Sequence, residues 1–538
     1  MTFQPYLKTI RVIFSLLFFT ATSLLFIDLF RLIYTGIFNV ILFPQFVPSF
    51  LKLIKVDGFF DPGWIFVFLL TLFAGRIYCS FLCPLGTLQD LFIFYSKKSG
   101  IKTRFKKSGN YHFLRYGVLL ATIISLALGS LVLINLLDPY SNYGRIITNL
   151  IRPYLIELNN LTVNIFKHFK IYSLYPVTSD IFNLISFIFP FAFLLILLAF
   201  SLFKGRLWCN TICPVGTLLG LVSRFSFYKI KFAVDKCTYC GSCVSACKAG
   251  CIDIKKQLVD MENCIACYNC IAKCPEKGIS YKRSYLINKK SKVSEPDKSK
   301  RKLLLYMGGL SMAAFLAACK PKKTSKPTDK RLIPFERKTP VSPPGSKSIV
   351  EFVNRCTACH LCISVCPTHV LQPAMLEYGL EGILQPTMDY EKNFCNFDCT
   401  RCSEVCPTGA IQHVMLKEKH RIQVGYARFI EQNCVVVTNH KDCGACSEHC
   451  PTKSCDMVPF KEGASAKAIS NMTSNSEHLK IPKIDTQTCV GCGACEYACP
   501  VIPDKAIIVE GNPIHLTAKE PKKEKIKEKV VEYGDFPF

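Results

Sequence analysis

The chain has 538 residues, half of them hydrophobic, and a formal charge of +27. That apolar content, with a positive mean hydropathy, is unusual for a soluble protein and points to membrane segments. Residues 1–230 hold 21 Lys and Arg against 7 Asp and Glu, and residues 281–350 hold 18 against 4, so the excess charge lies beside hydrophobic runs and in a linker. That placement argues for membrane topology or a lipid surface and against nucleic acid as a partner.

The first hydrophobic run, Val12 to Ile27, continues past Asp28 and Arg31 towards Phe38. No small-residue cleavage site follows, so it reads as a retained anchor rather than a secretory signal. Leu32 to Leu51 is also uncharged, but Pro44 and Pro48 argue against one straight helix. Pro62 to Gly75 must extend beyond Arg76 to reach a span of about 20 residues. Tyr116 to Leu137 and Ile181 to Phe203 are uncharged for 22 and 23 residues. Four membrane helices are predicted.

Flanking charge sets their orientation. Lys8 and Arg11, then Lys97, Lys98, Lys102, Arg104, Lys106 and Lys107, then Lys204, Arg206, Arg224, Lys229 and Lys231 should share the cytoplasmic side. Asp57, Asp61 and the loop from Asp138 to Asp180 then face outward.

The helices contain a repeat at an offset of 130. Gly75-Arg76-Ile77-Tyr78-Cys79-Ser80-Phe81-Leu82-Cys83-Pro84 matches Gly205-Arg206-Leu207-Trp208-Cys209-Asn210-Thr211-Ile212-Cys213-Pro214. Cys79, Cys83, Cys209 and Cys213 are therefore candidates for a redox or metal role at the cytoplasmic face; the alternative is thiols packed at helix ends.

Thirty-one cysteines are too many, in too long a chain, for a small disulfide scaffold. Their spacing favours clusters. Residues 228–285 carry Cys237, Cys240, Cys243 and Cys247, then Cys264, Cys267, Cys270 and Cys274-Pro275. This is the bacterial ferredoxin run, in which the fourth cysteine serves the neighbouring [4Fe–4S] cluster; a structural zinc site uses two separated pairs instead. Cys274 should complete the Cys237 set and Cys247 the Cys264 set. Lys248 stands where proline usually follows, and Cys251 has no place in the pattern.

Residues 351–516 repeat the grammar four times: Cys356, Cys359, Cys362, Cys366; Cys395, Cys399, Cys402, Cys406; Cys434, Cys443, Cys446, Cys450; and Cys489, Cys492, Cys495, Cys499. The first gap is stretched in the middle two, and Cys455 is an alternative to Cys434. These 24 cysteines are the expected iron ligands of six clusters. Cys356-Thr-Ala-Cys359-His360 also fits a haem c attachment site, but a covalent haem would strand Cys362 and Cys366. None of the ten histidines lies inside the four hydrophobic runs, so bis-histidine haem b is not expected there.

The predicted fold class is thus an α-helical membrane bundle plus small α+β ferredoxin-like domains. The segments are a membrane domain at 1–227, a two-cluster domain at 228–285, a basic linker at 286–302, a fifth hydrophobic segment at 303–319, a Pro/Lys linker at 320–350, a four-cluster domain at 351–516 and a tail at 517–538, expected to be disordered.

Taken in order, the repeated Cys-x3-Cys-Pro elements, the two-cluster module and the four-cluster module resemble a known pair. The first half resembles the membrane subunit of the quinol dehydrogenase serving periplasmic nitrate reductase. Residues from about 299 resemble its exported four-cluster ferredoxin partner, here fused. The resemblance implies electron transfer from menaquinol or another quinol, near Cys79, Cys83, Cys209 and Cys213, through the clusters to a separate reductase or carrier. It also implies an inner-membrane protein with residues 228–285 cytoplasmic and 351–516 periplasmic. Within the four-cluster module it pairs first set with last and second with third: Cys366 would serve the Cys489 set, Cys499 the Cys356 set, Cys406 the Cys443 set and Cys450 the Cys395 set.

The junction carries two export-like features. Ser299-Lys300-Arg301-Lys302-Leu303-Leu304 resembles a twin-arginine signal, and Leu316-Ala317-Ala318-Cys319 a lipoprotein box with Cys319 as the lipidated residue. A plain fifth transmembrane helix is the competing reading, and a segment that never crosses would leave all six clusters cytoplasmic. An accessory role in metalloenzyme maturation is the alternative function.

Overall fold

The computed structural model describes residues 6–30, 32–55, 62–100, 111–177, 184–233, 236–283, 334, 337–460 and 479–520. The basic linker, residues 303–319 with Cys319, most of the Pro/Lys linker and the residues beyond 520 lie outside the described residues.

The helical domain begins with α1, Leu7–Ile27, a 21-residue helix about 30 Å long at 1.5 Å per residue. The uncharged stretch after it breaks as its prolines require: α2, Thr35–Leu42, and α3, Phe46–Lys55, meet around Pro44 at a bend of 100°. The second predicted span is corrected. Its helix α4, Gly63–Ala74, has 12 residues and stops at Gly75, whose φ of 81° no helix accommodates; Arg76 turns into the protein instead of prolonging the helix. A short α5, Tyr78–Phe81, and α6, Pro84–Lys98, follow.

Nor is Tyr116 to Leu137 one helix. Residues His112–Ala127 form α7, Gly129 reverses the chain at φ 84°, and α8 covers Val132–Leu137. Next come α9, Pro139–Ile146, capped by the Asp138 carboxylate on the Ser141 amide, a π turn at Ile147–Ile151 and α10, Arg152–His168. The long α11, Leu184–Lys204, leads into α12, Leu207–Thr211, and α13, Pro214–Ser223. Among the described residues two helices, α1 and α11, are long and apolar enough to cross a membrane, and the bent pair α2 and α3 makes a third if it counts as one span. Both α1 and α11 expose large apolar side chains, Leu17, Leu24, Leu195 and Ile196 among them, which water would disfavour and lipid would not.

The first cysteine module is closed by β1, Tyr228–Phe232, paired antiparallel with β4, Ile279–Arg283, around a small hairpin of β2, Ile252–Asp253, and β3, Leu258–Val259. The C-terminal module is held by three two-stranded antiparallel sheets, two of which pair β5, Leu371–Pro373, with β6, Pro386–Met388, and β8, Cys455–Pro459, with β9, Lys480–Ile484. Its longest pairs β7, Ile422–Phe429, with β10, Ile507–Thr517, joining the middle of the module to its C-terminal end.

The two modules pack at opposite ends of α1. Near its start, Arg11 binds Asp90 of α6 at 2.6 Å, and Lys248 of the first module binds the same carboxylate at 3.2 Å. Near its end, Phe26 packs on α9 beside Gly144, where an added Cβ would strike the Cys359 carbonyl of the C-terminal module. A single buried core runs through Cys267, the four cysteines of the repeat, and Cys359.

A chain of cysteine-lined sites

Each ferredoxin run owes its shape to backbone conformation. In the four evenly spaced loops the second residue after the first cysteine and the fourth both adopt positive φ: Tyr239 and Gly241, Ala266 and Tyr268, Ala358 and His360, Gly491 and Gly493. This costs non-glycine residues about 1–3 kcal/mol each and persists where surroundings impose it. It turns successive thiols towards one point. A second left-handed residue follows three positions after a fourth cysteine, at Gly250, Lys277, His369, Gly409 and Lys453. There the chain doubles back and offers amides to sulfur: Gly278 N–H to Cys274 at 3.2 Å, Ser454 N–H to Cys450 at 3.3 Å and Ile411 N–H to Cys406 at 3.4 Å.

Three of the sets line partly open cavities suited to clusters. Cys237, Cys240, Cys243 and Cys274 line one of about 320 Å³. Cys434, Cys443, Cys446 and Cys499 line another of about 350 Å³, so the stretched first gap still returns Cys434 to its set. Cys450, Cys489, Cys492 and Cys495 line a third of about 350 Å³. Cys270 has the Cys267, Cys264 and Cys247 thiols as neighbours. Among the described residues no three His, Cys, Asp or Glu side chains converge closely enough to hold one ion. Thiols ringing a cavity fit a multi-iron cube better than a single tetrahedral zinc.

Pairing within the C-terminal module differs from the family pattern. Cys362 neighbours Cys356, Cys359 and Cys406, while Cys402 neighbours Cys395, Cys399 and Cys366. Cys499 and Cys450 exchange between the last two sets. The sets therefore pair first with second and third with fourth. The short connections within each pair favour this, and β7 with β10 then joins the two pairs.

The repeat in the helical domain is organised about two buried arginines, neither of which the sequence reading singled out. Both are fully buried. Arg76 donates to the Cys209 carbonyl at 3.1 Å and lies 3.8 Å from its own Cys79 Sγ. Arg206 reciprocates, donating to the Cys79 carbonyl at 3.1 Å and lying 3.9 Å from Cys209 Sγ. Gly86 and Gly216 occupy equivalent positions, where a Cβ would strike those same carbonyls. Cys83 and Cys213 cap α6 and α13, each followed by proline at the first helical position, which is the local reason for Cys-Pro in both copies.

All four thiols are buried, and Cys213 has the Cys209, Cys79 and Cys83 thiols as neighbours. Cys209 Sγ donates to Gln89 Oε1 at 3.0 Å. The surroundings are cationic. Asp90 serves three cations, Arg11, Arg206 and Lys248, and Arg76 has no carboxylate partner among the described residues, only Asn210, two carbonyls and sulfur. Burying that much positive charge is costly unless an anion shares the site.

The first module docks through the loop preceding Cys264. Ser223 Oγ binds the Met261 carbonyl at 2.9 Å, Arg76 and Arg115 bind the Glu262 carbonyl at 3.0 and 3.2 Å, and Asn210 binds the Asn263 carbonyl at 3.3 Å. Lys248 is explained as well. Its ammonium reaches Asp90, an ion pair that proline's ring could not supply, while its carbonyl accepts from the Arg206 amide at 3.1 Å.

At the other end, Arg145 donates to the Ala358 carbonyl at 2.8 Å and the Thr357 carbonyl at 3.2 Å. His360 is committed on both ring nitrogens, to Asn149 at 2.9 Å and the Leu384 carbonyl at 2.9 Å. Burial, with Arg145 nearby, pushes its pKa down to about 3, so it is neutral and serves as an interface residue. Between the repeat and this interface stand Tyr78, which neighbours Cys83 and Asp138, and Asp138, which neighbours Cys359.

Cysteine-ringed cavities at both ends of a helical domain with its own buried thiols define a multi-site ferredoxin-type protein of the membrane. Comparison with known proteins agrees. A 4Fe-4S binding domain family matches residues 63–102, 186–233 and 402–424, covering both copies of the helical repeat. Dicluster 4Fe-4S families match 229–275 and 441–502, and a further 4Fe-4S binding domain matches 353–372. YccM of Escherichia coli K12, named as an electron transport protein, is 28% identical over 38% of this chain and 50% of its own length. The ferredoxin-type protein NapH of Haemophilus influenzae Rd is 23% identical over 40% of this chain and 66% of its own. The methylamine utilization ferredoxin-type protein MauN of Paracoccus denitrificans is 29% identical over 33% of this chain and 49% of its own. The chain thus spans about half the length of YccM and MauN. No solved structure matches it. Together these matches support a NapH-like iron–sulfur membrane protein.

Proposed function

We propose that this protein is a membrane-bound electron conduit of the inner membrane. It takes electrons from a quinol, menaquinol by its family resemblance, at the helical domain and delivers them to a separate reductase. Iron–sulfur clusters supply one-electron transfer when bound. The residues that would hold six of them are Cys237, Cys240, Cys243 with Cys274; Cys264, Cys267, Cys270 with Cys247; Cys356, Cys359, Cys362 with Cys406; Cys395, Cys399, Cys402 with Cys366; Cys434, Cys443, Cys446 with Cys499; and Cys489, Cys492, Cys495 with Cys450.

The observation that carries this reading is the buried core joining Cys267, the four repeat thiols and Cys359. It supports Cys79, Cys83, Cys209 and Cys213 as a redox or metal site between the two modules. Arg76, with no carboxylate partner among the described residues, supports an anionic state there, since thiolates would neutralise it. Two cysteine modules at opposite ends of α1 support residues 228–285 on the cytoplasmic side and 351–516 on the periplasmic side.

The test is anaerobic purification in membranes. About 24 irons per chain are expected from the six outer sets alone, and menaquinol should reduce them. Cys83→Ser should keep those six clusters and lose their reduction by menaquinol. Full reduction in that variant would remove the helical domain from the path, and zinc in place of iron would overturn the cluster reading.

A further inference from the structure

Among the described residues two buried thiols, Cys251 and Cys455, belong neither to a cluster set nor to the helical repeat, and both lie against sulfur. Cys251 Sγ is 3.5 Å from Cys247 Sγ and also meets Cys264, so it touches two members of one set. Its backbone amide points at Cys247 as well, alongside those of Ala249 and Gly250. Ligand sulfurs on different irons of one cube diverge from each other. A thiol this close to Cys247 is therefore placed to donate S–H to a ligand sulfur, rather than to bind a further iron beside it.

The C-terminal module repeats the device. Cys455 lies against Cys446 of one set and lines the cavity of Cys450, Cys489, Cys492 and Cys495, so it stands between two sets. Cys251 follows Cys247 by four residues and Cys455 follows Cys450 by five. Each comes just after a left-handed residue, Gly250 or Lys453. The turn that elsewhere offers amides to the fourth sulfur here also presents a thiol.

We infer that Cys251 and Cys455 are positioning residues whose thiols donate hydrogen bonds to cluster-ligand sulfurs and raise the reduction potentials of the clusters they touch. A reduced cluster carries one more negative charge and accepts such bonds more strongly. Donors therefore stabilise it over the oxidised form, one of the protein's levers on potential. Cys251 acts on the set docked against the helical domain, favouring the electron there over the Cys237 set. The inference rests on the cluster reading above.

The experiment is a redox titration of the anaerobically purified full chain, followed by electron paramagnetic resonance, with no quinol present. Cys251→Ala should shift one cluster to lower potential with iron content unchanged, and Cys251→Ser, which retains an O–H donor, should recover most of that shift. Cys455→Ala and Cys455→Ser should behave likewise on a different signal. An unchanged midpoint in both alanine variants would overturn the inference, as would loss of about four irons per substitution, which would make these thiols ligands. A wild-type chain lacking any cluster signal would instead defeat the cluster reading itself.

Discussion

Arg76 shows how much a single residue can hold in place. Its guanidinium binds Asn210 of α12, the Cys209 carbonyl and the Glu262 carbonyl of the first module, so one side chain ties both repeat copies and a cysteine module together. Arg76→Met preserves most of the volume but strips this donor from the Asn210 amide oxygen and the Cys209 carbonyl, each loss costing about 1–3 kcal/mol, while the Glu262 carbonyl keeps Arg115. A marked fall in the thermal midpoint of the detergent-solubilised protein is expected. Arg76→Lys should not restore it, because a point-like ammonium cannot serve acceptors spread across a planar fork. A midpoint within a degree of wild type in either variant would contradict this role. The sequence carried the signal, Gly-Arg in both copies at an offset of 130, but offered no means of telling a buried arginine from one of the many flanking the membrane runs.

At the scale of elements, α9 and β10 each make a testable contact. Helix α9 approaches the C-terminal module so closely that position 144 must lack a side chain, having the Cys359 carbonyl on one side and Phe26 on the other. Gly144→Val should separate module from helix without emptying the clusters. The readout is faster amide exchange over residues 139–149 at unchanged iron content; unaltered exchange would show that the contact can yield.

Strand β10 carries His515, which bonds Ser342 at 2.8 Å and whose pKa burial lowers to about 4. Below pH 6.5 the unfolded chain takes up this proton and the folded chain does not, so the stability due to the neutral ring, complete above about 6.5, is lost as pH falls towards 4. The ceiling is about 1.4 kcal/mol per pH unit. His515→Gln should flatten this part of the melting-temperature profile, and an unchanged slope would assign the acid sensitivity elsewhere.

For the whole molecule, the arrangement of modules about α1 makes a topological prediction. A reporter fused after Leu516 should be active on the periplasmic side, and one fused after Arg283 on the cytoplasmic side. Both reporting from one side would mean that α1 does not separate the modules across the membrane. Their opposed positions rest on Arg11, Asp90 and Lys248 at one end and on Arg145, Asn149 and His360 at the other. Charge along the chain was ambiguous around the junction, because Lys and Arg flank it on both sides.

The cysteine grammar was readable from the chain alone. Ligand spacing in a ferredoxin loop is a local matter of a few residues and their left-handed turns, so the six sets, the repeat and the iron–sulfur class follow from sequence. Breaks in the helices were half legible: Pro44 announced its bend, whereas Gly75 and Gly129 did not, because apolar composition reports affinity for lipid and not continuity of a helix. Partners distant in sequence were decided by tertiary structure alone. Which fourth cysteine joins which set in the C-terminal module depends on how loops tens of residues apart come to pack, and why Lys248 replaces proline and how two arginines lock the repeats together depend on segments more than 100 residues apart. Spacing within one loop holds no record of that.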